Sequence, residues 1–371
     1  MQAARRRRCR TFVVSIVVAS VLLAACSSAE DSAEEQVSPG STTAAAEGGC
    51  QPSVGELGLT AVTASDSKDL LTKQSSLIPQ YGFGSVRLTI HWSVIEPYPG
   101  VYDWASTDEQ VEAFSYAGLD ILGVATWAPW WDVDPANRNV MHPKPSDPER
   151  FSEFAKLVAN RYKDRIRTWE IWNEPNTGAT FGPAADLQTY VPMLKRSYEK
   201  IKSVDPSIVV MTGGTSPTID NETDLSPASF IRGLYEAGAG PFFDAVAMHP
   251  YSAPDRLSDA SVQSWSSNTA IARIRETMVV NGDRDKQIWF TEFGAASGTG
   301  QESVTEDEQA ELLVDGIDYL RSLPYCGGIF LFDFRDVDSG NAVDELNAGL
   351  VRSDFSPKPA LDAVIQAGGS N

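Results

Sequence analysis

The strongest constraint on the fold of this chain is a regular alternation of short apolar runs with stretches of helical periodicity. Eight runs of four to seven residues are rich in β-branched and aromatic side chains, as buried strands are. They cover residues 57–62, 85–90, 120–126, 168–172, 208–212, 245–248, 287–291 and 327–332. Strands that alternate with helices favour a parallel sheet with helices packed outside it.

The segments between the runs carry helix signals. One segment spaces its large apolar residues at i, i+3 and i+4, namely at Phe151, Phe154, Ala155, Val158 and Tyr162. Residues 146–149 (Ser-Asp-Pro-Glu) precede it like a capping box, with the proline near the first turn. Residues 305–308 (Thr-Glu-Asp-Glu) repeat the signature before another apolar stretch.

Eight strands are the number that a closed (β/α)8 barrel, or TIM barrel, needs. An open doubly wound sheet would show the same alternation, but no Gly-rich phosphate-binding turn follows the first run. The sequence therefore predicts the α/β class, with a single catalytic (β/α)8 domain over residues 54–371. A barrel of this length is normal for one domain.

The first 25 residues have the pattern of a lipoprotein signal peptide. Five arginines and no acid precede an apolar run over residues 12–23, which is too short for a typical membrane span. The run ends in Leu-Ala-Ala-Cys, which resembles a bacterial lipobox, so Cys26 is the expected lipidation site. An ordinary signal sequence cut after an A-x-A-like site is the alternative.

Residues 26–53 contain almost no large apolar side chain and cannot bury enough surface to fold. We expect a disordered tether with a typical span of roughly 30 Å. No later stretch is long and apolar enough to cross a bilayer. The protein is therefore expected to be exported and held at the outer face of the bacterial cell membrane or envelope by the lipid on Cys26.

The chain is strongly acidic, with 30 Lys and Arg residues against 50 Asp and Glu residues and a net charge of −20. Such a surface repels nucleic acids and anionic polymers, so a neutral or basic substrate is favoured. We expect a monomer with no nucleic-acid partner.

Two of the four cysteines remain for pairing, because Cys9 would leave with the signal and Cys26 would carry lipid. In an exported protein such a pair is more often bridged than free. Cys50 precedes the first run and Cys326 lies at the start of the last, so both map to the N-terminal rim of the barrel. A Cys50–Cys326 disulfide is predicted there.

Two glutamates stand at the ends of apolar runs, where a barrel assembles its active site. Residues 169–176 (WEIWNEPN) place Glu174 after one run, and residues 288–294 (IWFTEFG) place Glu292 at the end of another. Either one alone would more often be an ion-paired glutamate in a turn. Two carboxylates at one rim are what the cleavage of a glycosidic bond requires.

These motifs resemble the clan A glycoside hydrolases, which are retaining enzymes on a (β/α)8 barrel. The likeness rests on NEP at residues 173–175, TEFG at 291–294 and MHPY at 248–251, and extends over about residues 55–361. Within the clan, family 39 and cellulase-like relatives are the most similar. The resemblance implies a retaining β-glycosidase that hydrolyses an oligo- or polysaccharide by double displacement, with Glu174 as acid/base and Glu292 as nucleophile.

The resemblance also implies roles for neighbouring polar residues. Arg87 lies inside an apolar run and needs a partner, either Glu292, whose ionised form it would favour, or Glu170 in a structural salt bridge. Asn173 resembles the asparagine that binds the sugar 2-hydroxyl. His249 and Tyr251 resemble groups that orient the nucleophile, and for His249 both a structural and a substrate-binding role stay open.

Four tryptophans follow the second and third runs: Trp92, Trp127, Trp130 and Trp131. Aromatic faces stack on sugar rings, and an exposed group of them suggests an extended groove, although core packing explains any single one better. The last run ends in Phe332-Asp333-Phe334-Arg335, where the clan commonly has a tryptophan. The sugar platform beside the cleaved bond is therefore expected to differ.

No metal or cofactor is expected, because three histidines and no Cys/His/Asp cluster at ligand spacing support none. Two other functions remain open at the level of sequence. One is a barrel lipoprotein that binds glycan without cleaving it, and the other is a transglycosylase that uses the same two carboxylates.

Overall fold

The structure of the protein is a computed structural model that describes residues 57–61, 67–259 and 266–368. Over these residues eight parallel strands alternate with helices. The strands are β1 (Gly58–Thr60), β2 (Ser85–His91), β3 (Asp120–Thr126), β4 (Ile166–Ile171), β5 (Val209–Met211), β6 (Val246–Met248), β7 (Ile288–Phe293) and β8 (Cys326–Leu331). The helices are α1 (Lys68–Gln80), α2 (Trp92–Ile95), α3 (Ala105–Tyr116), α4 (Pro148–Arg161), α5 (Leu187–Val204), α6 (Pro227–Glu236), α7 (Ser267–Val280), α8 (Glu306–Arg321) and α9 (Pro359–Gly368).

The sheet closes on itself as the predicted (β/α)8 barrel. Its strand order is β5-β4-β3-β2-β1-β8-β7-β6, and every pairing is parallel. β5 and β6 meet only through isolated bridges, one of which pairs Met211 with Ala245. The amide of Thr212 donates a 3.2 Å hydrogen bond to the carbonyl of Ala245 at this seam. The TIM-barrel prediction is confirmed.

Each predicted run overlaps an observed strand, and the two helix starts agree with small changes. Thr305 caps α8 in a full capping box with Glu308, as expected. The cap of α4 is Asp147 rather than Ser146, because the Asp147 carboxylate accepts the amide of Glu149 and Pro148 occupies the first helical position. The five apolar residues at helical spacing are all buried; four lie in α4 and the fifth, Tyr162, directly follows it.

Two layers of apolar packing hold the barrel. A small cluster joins side chains from non-adjacent strands and therefore fills the interior of the barrel, and its members are Leu122, Met211, Ala245, Ala247 and Phe330. The larger cluster lies between the strands and the surrounding helices. This packing fixes the carboxyl ends of the strands, and these ends form the rim that carries the polar side chains of the candidate site. No described helix has both the length and the apolar character of a membrane span.

The predicted signal peptide, tether and lipidation site lie outside the described residues, as does Cys50. Cys326 is the first residue of β8, is fully buried and is disulfide-bonded. Its pairing with Cys50 stays a prediction, which peptide mapping of the unreduced protein checks.

A buried ion pair ties the segments after β7 and β8 together. Lys358 Nζ donates to Asp336 Oδ1 at 2.7 Å, to Ser297 Oγ at 2.8 Å and to the carbonyl of Asn347 at 3.0 Å. Lys358 and Asp336 are each 2% exposed. Because both charges are out of water, each depends on the other.

We expect Lys358→Met to lower the free energy of unfolding by about 3–5 kcal/mol, since it leaves the Asp336 carboxylate buried without its cation. Denaturant titration of the soluble domain measures the loss. The matched control is Lys68→Met, which removes the exposed ion pair with Glu109 and should change stability little. Equal effects of the two substitutions would contradict the structural role of Lys358.

Candidate active site

The guanidinium of Arg87 organises the rim of the barrel. It extends from β2 and donates from Nη1 to Glu292 Oε1 at 2.5 Å. It also donates from Nε and Nη2 to the carboxylate of Glu170 at 3.2 and 3.1 Å. Both partners predicted from the sequence are therefore present. Arg87 is only 2% exposed, so its guanidinium is held against the two carboxylates and away from solvent.

Two further contacts complete the surroundings of Arg87. Nη2 donates to Asn173 Oδ1 at 2.7 Å, so this cation also orients the asparagine that precedes Glu174. Glu170 is fully buried and accepts the amide of Gly214 at 2.7 Å. One buried cation thus links β2, β4 and β7. Because all strands of the sheet are parallel, their carboxyl ends lie at the same end of the barrel.

The environment of Glu292 favours its ionised form. Burial alone raises the pKa of this carboxyl, but the charges of His249 and Arg87 and the hydroxyl of Tyr251 lower it below its usual range. Tyr251 donates to Glu292 Oε2 at 2.7 Å. Burial and the charge of Glu292 raise the pKa of Tyr251 well above its usual value, so the phenol stays a donor.

His249 lies between the two glutamates. Its Nδ1 is 3.0 Å from Glu174 Oε1 and 3.6 Å from Glu292 Oε2, and its Nε2 is 3.1 Å from Thr291 Oγ1. Burial lowers the pKa of His249, yet the charge of Glu292 and the hydrogen bond with Glu174 raise it above its usual value. The ring is fully buried and engaged at both nitrogens, so the structure supports contact with the carboxylates, and a substrate-binding role for His249 stays a prediction.

The structure brings Glu174 and Glu292 together across 118 positions of sequence. A carboxylate oxygen of each and a ring nitrogen of His249 all lie within 4.8 Å of one another. Such a group resembles a metal-ligand set, but the positive charge that balances the Glu292 carboxylate is already supplied by Arg87. The arrangement is therefore a pair of carboxylates with one strongly ionised member.

The backbone around the acid is strained. Trp127, Trp172 and Glu174 have φ values of 59°, 72° and 49°, in the left-handed region that side chains rarely adopt. Each such residue costs on the order of 1–3 kcal/mol and persists only where its surroundings hold it. Thr180 supplies part of that support, because its carbonyl accepts the indole of Trp172 and its hydroxyl donates to the carbonyl of Glu174.

The position of Trp92 corrects its prediction as part of a sugar-binding groove. It is 1% exposed, packs against Trp131 and Phe154, and donates its indole N–H to Glu96. No face of Trp92 is available to a sugar, so it belongs to the core.

Trp127 remains at the site, half-buried beside Trp172 with the ring centroids 5.7 Å apart. Its other neighbours are two histidines, His142 at 4.1 Å and His91 at 6.4 Å. Burial and the charge of His142 lower the pKa of His91 to about 4, and burial lowers that of His142. Both imidazoles are neutral at pH 7.

An aromatic ring does stand at the end of β8. Phe332 is half-buried and meets Tyr251 edge to face, with ring centroids 6.4 Å apart. Phe332 thus contacts the tyrosine that donates to Glu292, and it stands where the clan A pattern commonly has a tryptophan.

The model of the cellulase family, glycosyl hydrolase family 5, matches residues 51–326 of the chain. The chain belongs to this family. The predicted membership of clan A and the predicted (β/α)8 barrel are thereby confirmed.

Solved structures of other glycoside hydrolases share the fold of this family 5 protein. The family 39 enzyme of Bacteroides cellulosilyticus WH2 is 26% identical, with a TM-score of 0.67 over 85% of this chain and 64% of that one. The GH5_18 protein of Streptomyces cattleya, solved with GlcNAc, is 17% identical, with a TM-score of 0.64 over 84% and 79%. Xylanase 10B of Thermotoga maritima is 16% identical, with a TM-score of 0.57 over 85% and 96%. The chain spans slightly less than two thirds of the family 39 enzyme.

The sequence analysis did not identify several residues that the structure places at this candidate site. His91 carried a usable signal, since it ends β2 as a polar residue at the barrel rim. His142 carried none, because it lies in a long loop after β3. Thr291 and Gly214 can be recognised as part of the site only from the structure, because each lies close to His249 in space.

Gly214 has no room for a side chain, because a Cβ atom there would lie 2.2 Å from His249 Nε2. We expect Gly214→Ala to displace the imidazole from its present position between the glutamates and lower kcat on an aryl β-glycoside by about 100-fold. Circular dichroism shows whether the variant is folded. The matched control is Gly368→Ala at the end of α9, where a Cβ meets nothing within 4 Å. A folded Gly214→Ala variant with wild-type kcat would contradict the positioning role of His249.

Proposed function

We propose that the protein is a retaining β-glycosidase that cleaves a neutral oligo- or polysaccharide by double displacement. One observation carries the proposal: an ionised Glu292 lies with a carboxylate oxygen within 4.8 Å of one from Glu174. Retaining enzymes hold their carboxyl groups about 5–5.5 Å apart, whereas inverting enzymes need about 6.5–9.5 Å for an intervening water.

In the first step Glu292 attacks the anomeric carbon. A bond forms between one of its carboxylate oxygens and that carbon, and the bond to the leaving oxygen breaks. Glu174 donates its proton to the leaving oxygen as the bond breaks. The products are a leaving alcohol and a glycosyl ester on Glu292.

In the second step water reaches the anomeric carbon from the side that the leaving group vacated. Glu174, now a carboxylate, removes the proton of the water as the new carbon–oxygen bond forms. The ester bond breaks and Glu292 leaves as the carboxylate that Arg87 and Tyr251 favour. Two inversions give net retention.

His249 serves both steps as a positioning residue. Its hydrogen bond to Glu174 Oε1 at 3.0 Å directs the second carboxylate oxygen of Glu174 towards the leaving group. Asn173 uses its Oδ1 to accept from Arg87, which leaves the amide N–H groups to donate to a sugar hydroxyl.

Transglycosylation follows the same first step and replaces water with an acceptor sugar. Product analysis with and without an acceptor separates it from hydrolysis. A barrel that only binds glycan would leave the strained backbone of Glu174 and the paired carboxylates without a role.

Azide rescue tests the assignment of roles. We expect Glu292→Ala to be inactive on every substrate, and Glu174→Ala to lose about 10²–10⁴-fold on substrates whose leaving group needs a proton. On dinitrophenyl β-glycosides, whose leaving group departs unprotonated, Glu174→Ala should retain turnover. Azide should accelerate it and give a β-glycosyl azide, detected by nuclear magnetic resonance.

The matched control for this test is Glu276→Ala on the outer face of α7, which should behave like the wild type. If Glu292→Ala is the variant that yields a β-azide while Glu174→Ala stays inactive on activated substrates, the two roles are reversed. If the glycosidase inverts the anomeric configuration of an unactivated substrate, double displacement is wrong.

We also propose that the enzyme is exported and anchored through a lipid on Cys26, as its lipobox-like sequence indicates. Cys26→Ala should move the protein from the membrane fraction to the soluble fraction, as shown by immunoblotting of fractionated cells. The control is Cys9→Ala within the signal, which should leave the protein bound. Retention of the Cys26→Ala variant in the membrane would refute a lipid anchor.

A further inference from the structure

Two consecutive side chains of β7, Thr291 and Glu292, both face the candidate site. In a regular strand, neighbouring side chains point to opposite faces of the sheet. Here the pairing of β7 with β8 shifts its register after Phe290, and an irregularity of this kind re-aims side chains. As a result Thr291 Oγ1 lies 3.1 Å from Nε2 of His249. The proposed mechanism uses Glu292 and His249 but gives no role to Thr291.

The charges around His249 do not decide which of its ring nitrogens carries the proton. A neutral imidazole has one N–H, on either Nδ1 or Nε2, and the neighbouring groups select between the two tautomers. Glu292 Oε2 lies 3.6 Å from Nδ1, and Glu170 Oε1 lies 4.0 Å from Nε2. Each nitrogen thus faces one carboxylate at a similar distance. The choice falls to the hydrogen-bond partners, which are Glu174 Oε1 at Nδ1 and the Thr291 hydroxyl at Nε2.

The surroundings of Thr291 make its hydroxyl a donor to the imidazole. Thr291 is fully buried, and among the residues that the structure describes its hydroxyl has one hydrogen-bond partner, His249 Nε2. A Cβ atom at Gly214 would lie 2.7 Å from Thr291 Oγ1 and 2.2 Å from His249 Nε2, so the backbone covers this contact and keeps water out on that side. Because a buried donor without an acceptor is costly, the hydroxyl hydrogen of Thr291 is donated to Nε2.

This donation determines where the proton of Glu174 can lie. With Nε2 as an acceptor, the proton of the neutral imidazole is on Nδ1, and Nδ1–H donates to Glu174 Oε1 at 3.0 Å. The acidic proton of Glu174 then stays on Oε2, the oxygen that the mechanism directs towards the leaving group. In the other tautomer Nδ1 would accept from Glu174, and the acidic proton would point at the imidazole instead.

We propose that the Thr291 hydroxyl fixes the tautomer of His249 and thereby keeps the proton of Glu174 on the oxygen that faces the leaving group. Thr291 is a positioning residue, since it acts only through His249. The tautomer matters for the neutral imidazole, because a protonated imidazole donates from both nitrogens in any case. This inference rests on the proposed glycosidase function.

Nuclear magnetic resonance of protein carrying isotopically labelled histidine reads the tautomer directly, since protonated and unprotonated ring nitrogens differ in chemical shift. The chain has three histidines, so His91→Gln and His142→Gln, made singly, identify two sets of signals and leave the third to His249. Glu174→Gln holds that position neutral, as the acid form does, and alkaline pH keeps the imidazole neutral. We expect Nδ1–H in this background. Adding Thr291→Val, which keeps the shape but cannot donate, should give a mixture with Nε2–H, and Thr291→Ser should restore Nδ1–H.

Leaving groups of different acidity test whether the tautomer serves catalysis. Thr291→Val should lower kcat/KM on a phenyl β-glycoside about tenfold more than on the dinitrophenyl β-glycoside of the same sugar, whose leaving group departs unprotonated. Thr291→Ser should recover most of the loss. The matched control is Thr126→Val at the end of β3, which is equally buried and whose hydroxyl has no hydrogen-bond partner in the described part of the chain. It should leave both rates unchanged.

The two readouts distinguish failure of this inference from failure of the proposed function. An Nε2–H tautomer in the Glu174→Gln background, a tautomer that Thr291→Val leaves unchanged, or an equal loss on both glycosides overturns the inference, while turnover by the wild type keeps the glycosidase. An Nδ1–H tautomer that depends on Thr291, in a protein that hydrolyses no β-glycoside, would refute the glycosidase and keep the control of the tautomer by Thr291.

Discussion

The rim of the barrel depends on one buried cation. Arg87 is almost completely removed from water and joins Glu170, Glu292 and Asn173, which come from two strands and the turn after one of them. Loss of this guanidinium would leave two buried carboxylates without the cation that they share, a change that is strongly destabilising. The same contacts keep Glu292 ionised and orient Asn173. Structural stability and catalytic readiness therefore rest on the same interaction.

The second constraint is the close packing of backbone against the imidazole of His249. Gly214 approaches the ring too closely for any side chain, and its amide donates to Glu170. Opposite it, Glu174 adopts a left-handed conformation that Thr180 supports. Strain of this kind places the acid within hydrogen-bonding distance of His249 before substrate arrives. The protein thus uses folding free energy to hold its two carboxylates close together, with an oxygen of each within 4.8 Å of the other.

The loops outside this centre carry aromatic side chains close to the rim. Glu96 fixes the turn after α2, and that turn supports Tyr98 beside Trp130. At the end of β8, Phe332 stands next to Tyr251 in place of the tryptophan common in the clan. These aromatic side chains all stand on segments that follow strands of the barrel.

The sequence by itself determined the class of fold and the two glutamates, because strand periodicity, helix caps and the NEP and TEFG motifs are local patterns. It also indicated Arg87, since a charge inside an apolar run must have a partner. Only the tertiary structure showed that Trp92 is core and Trp130 is exposed, and that His249 contacts Glu174 more closely than Glu292. Those outcomes depend on how distant loops pack around a shared rim, and no short window of sequence encodes distances between residues that meet only after the barrel has closed.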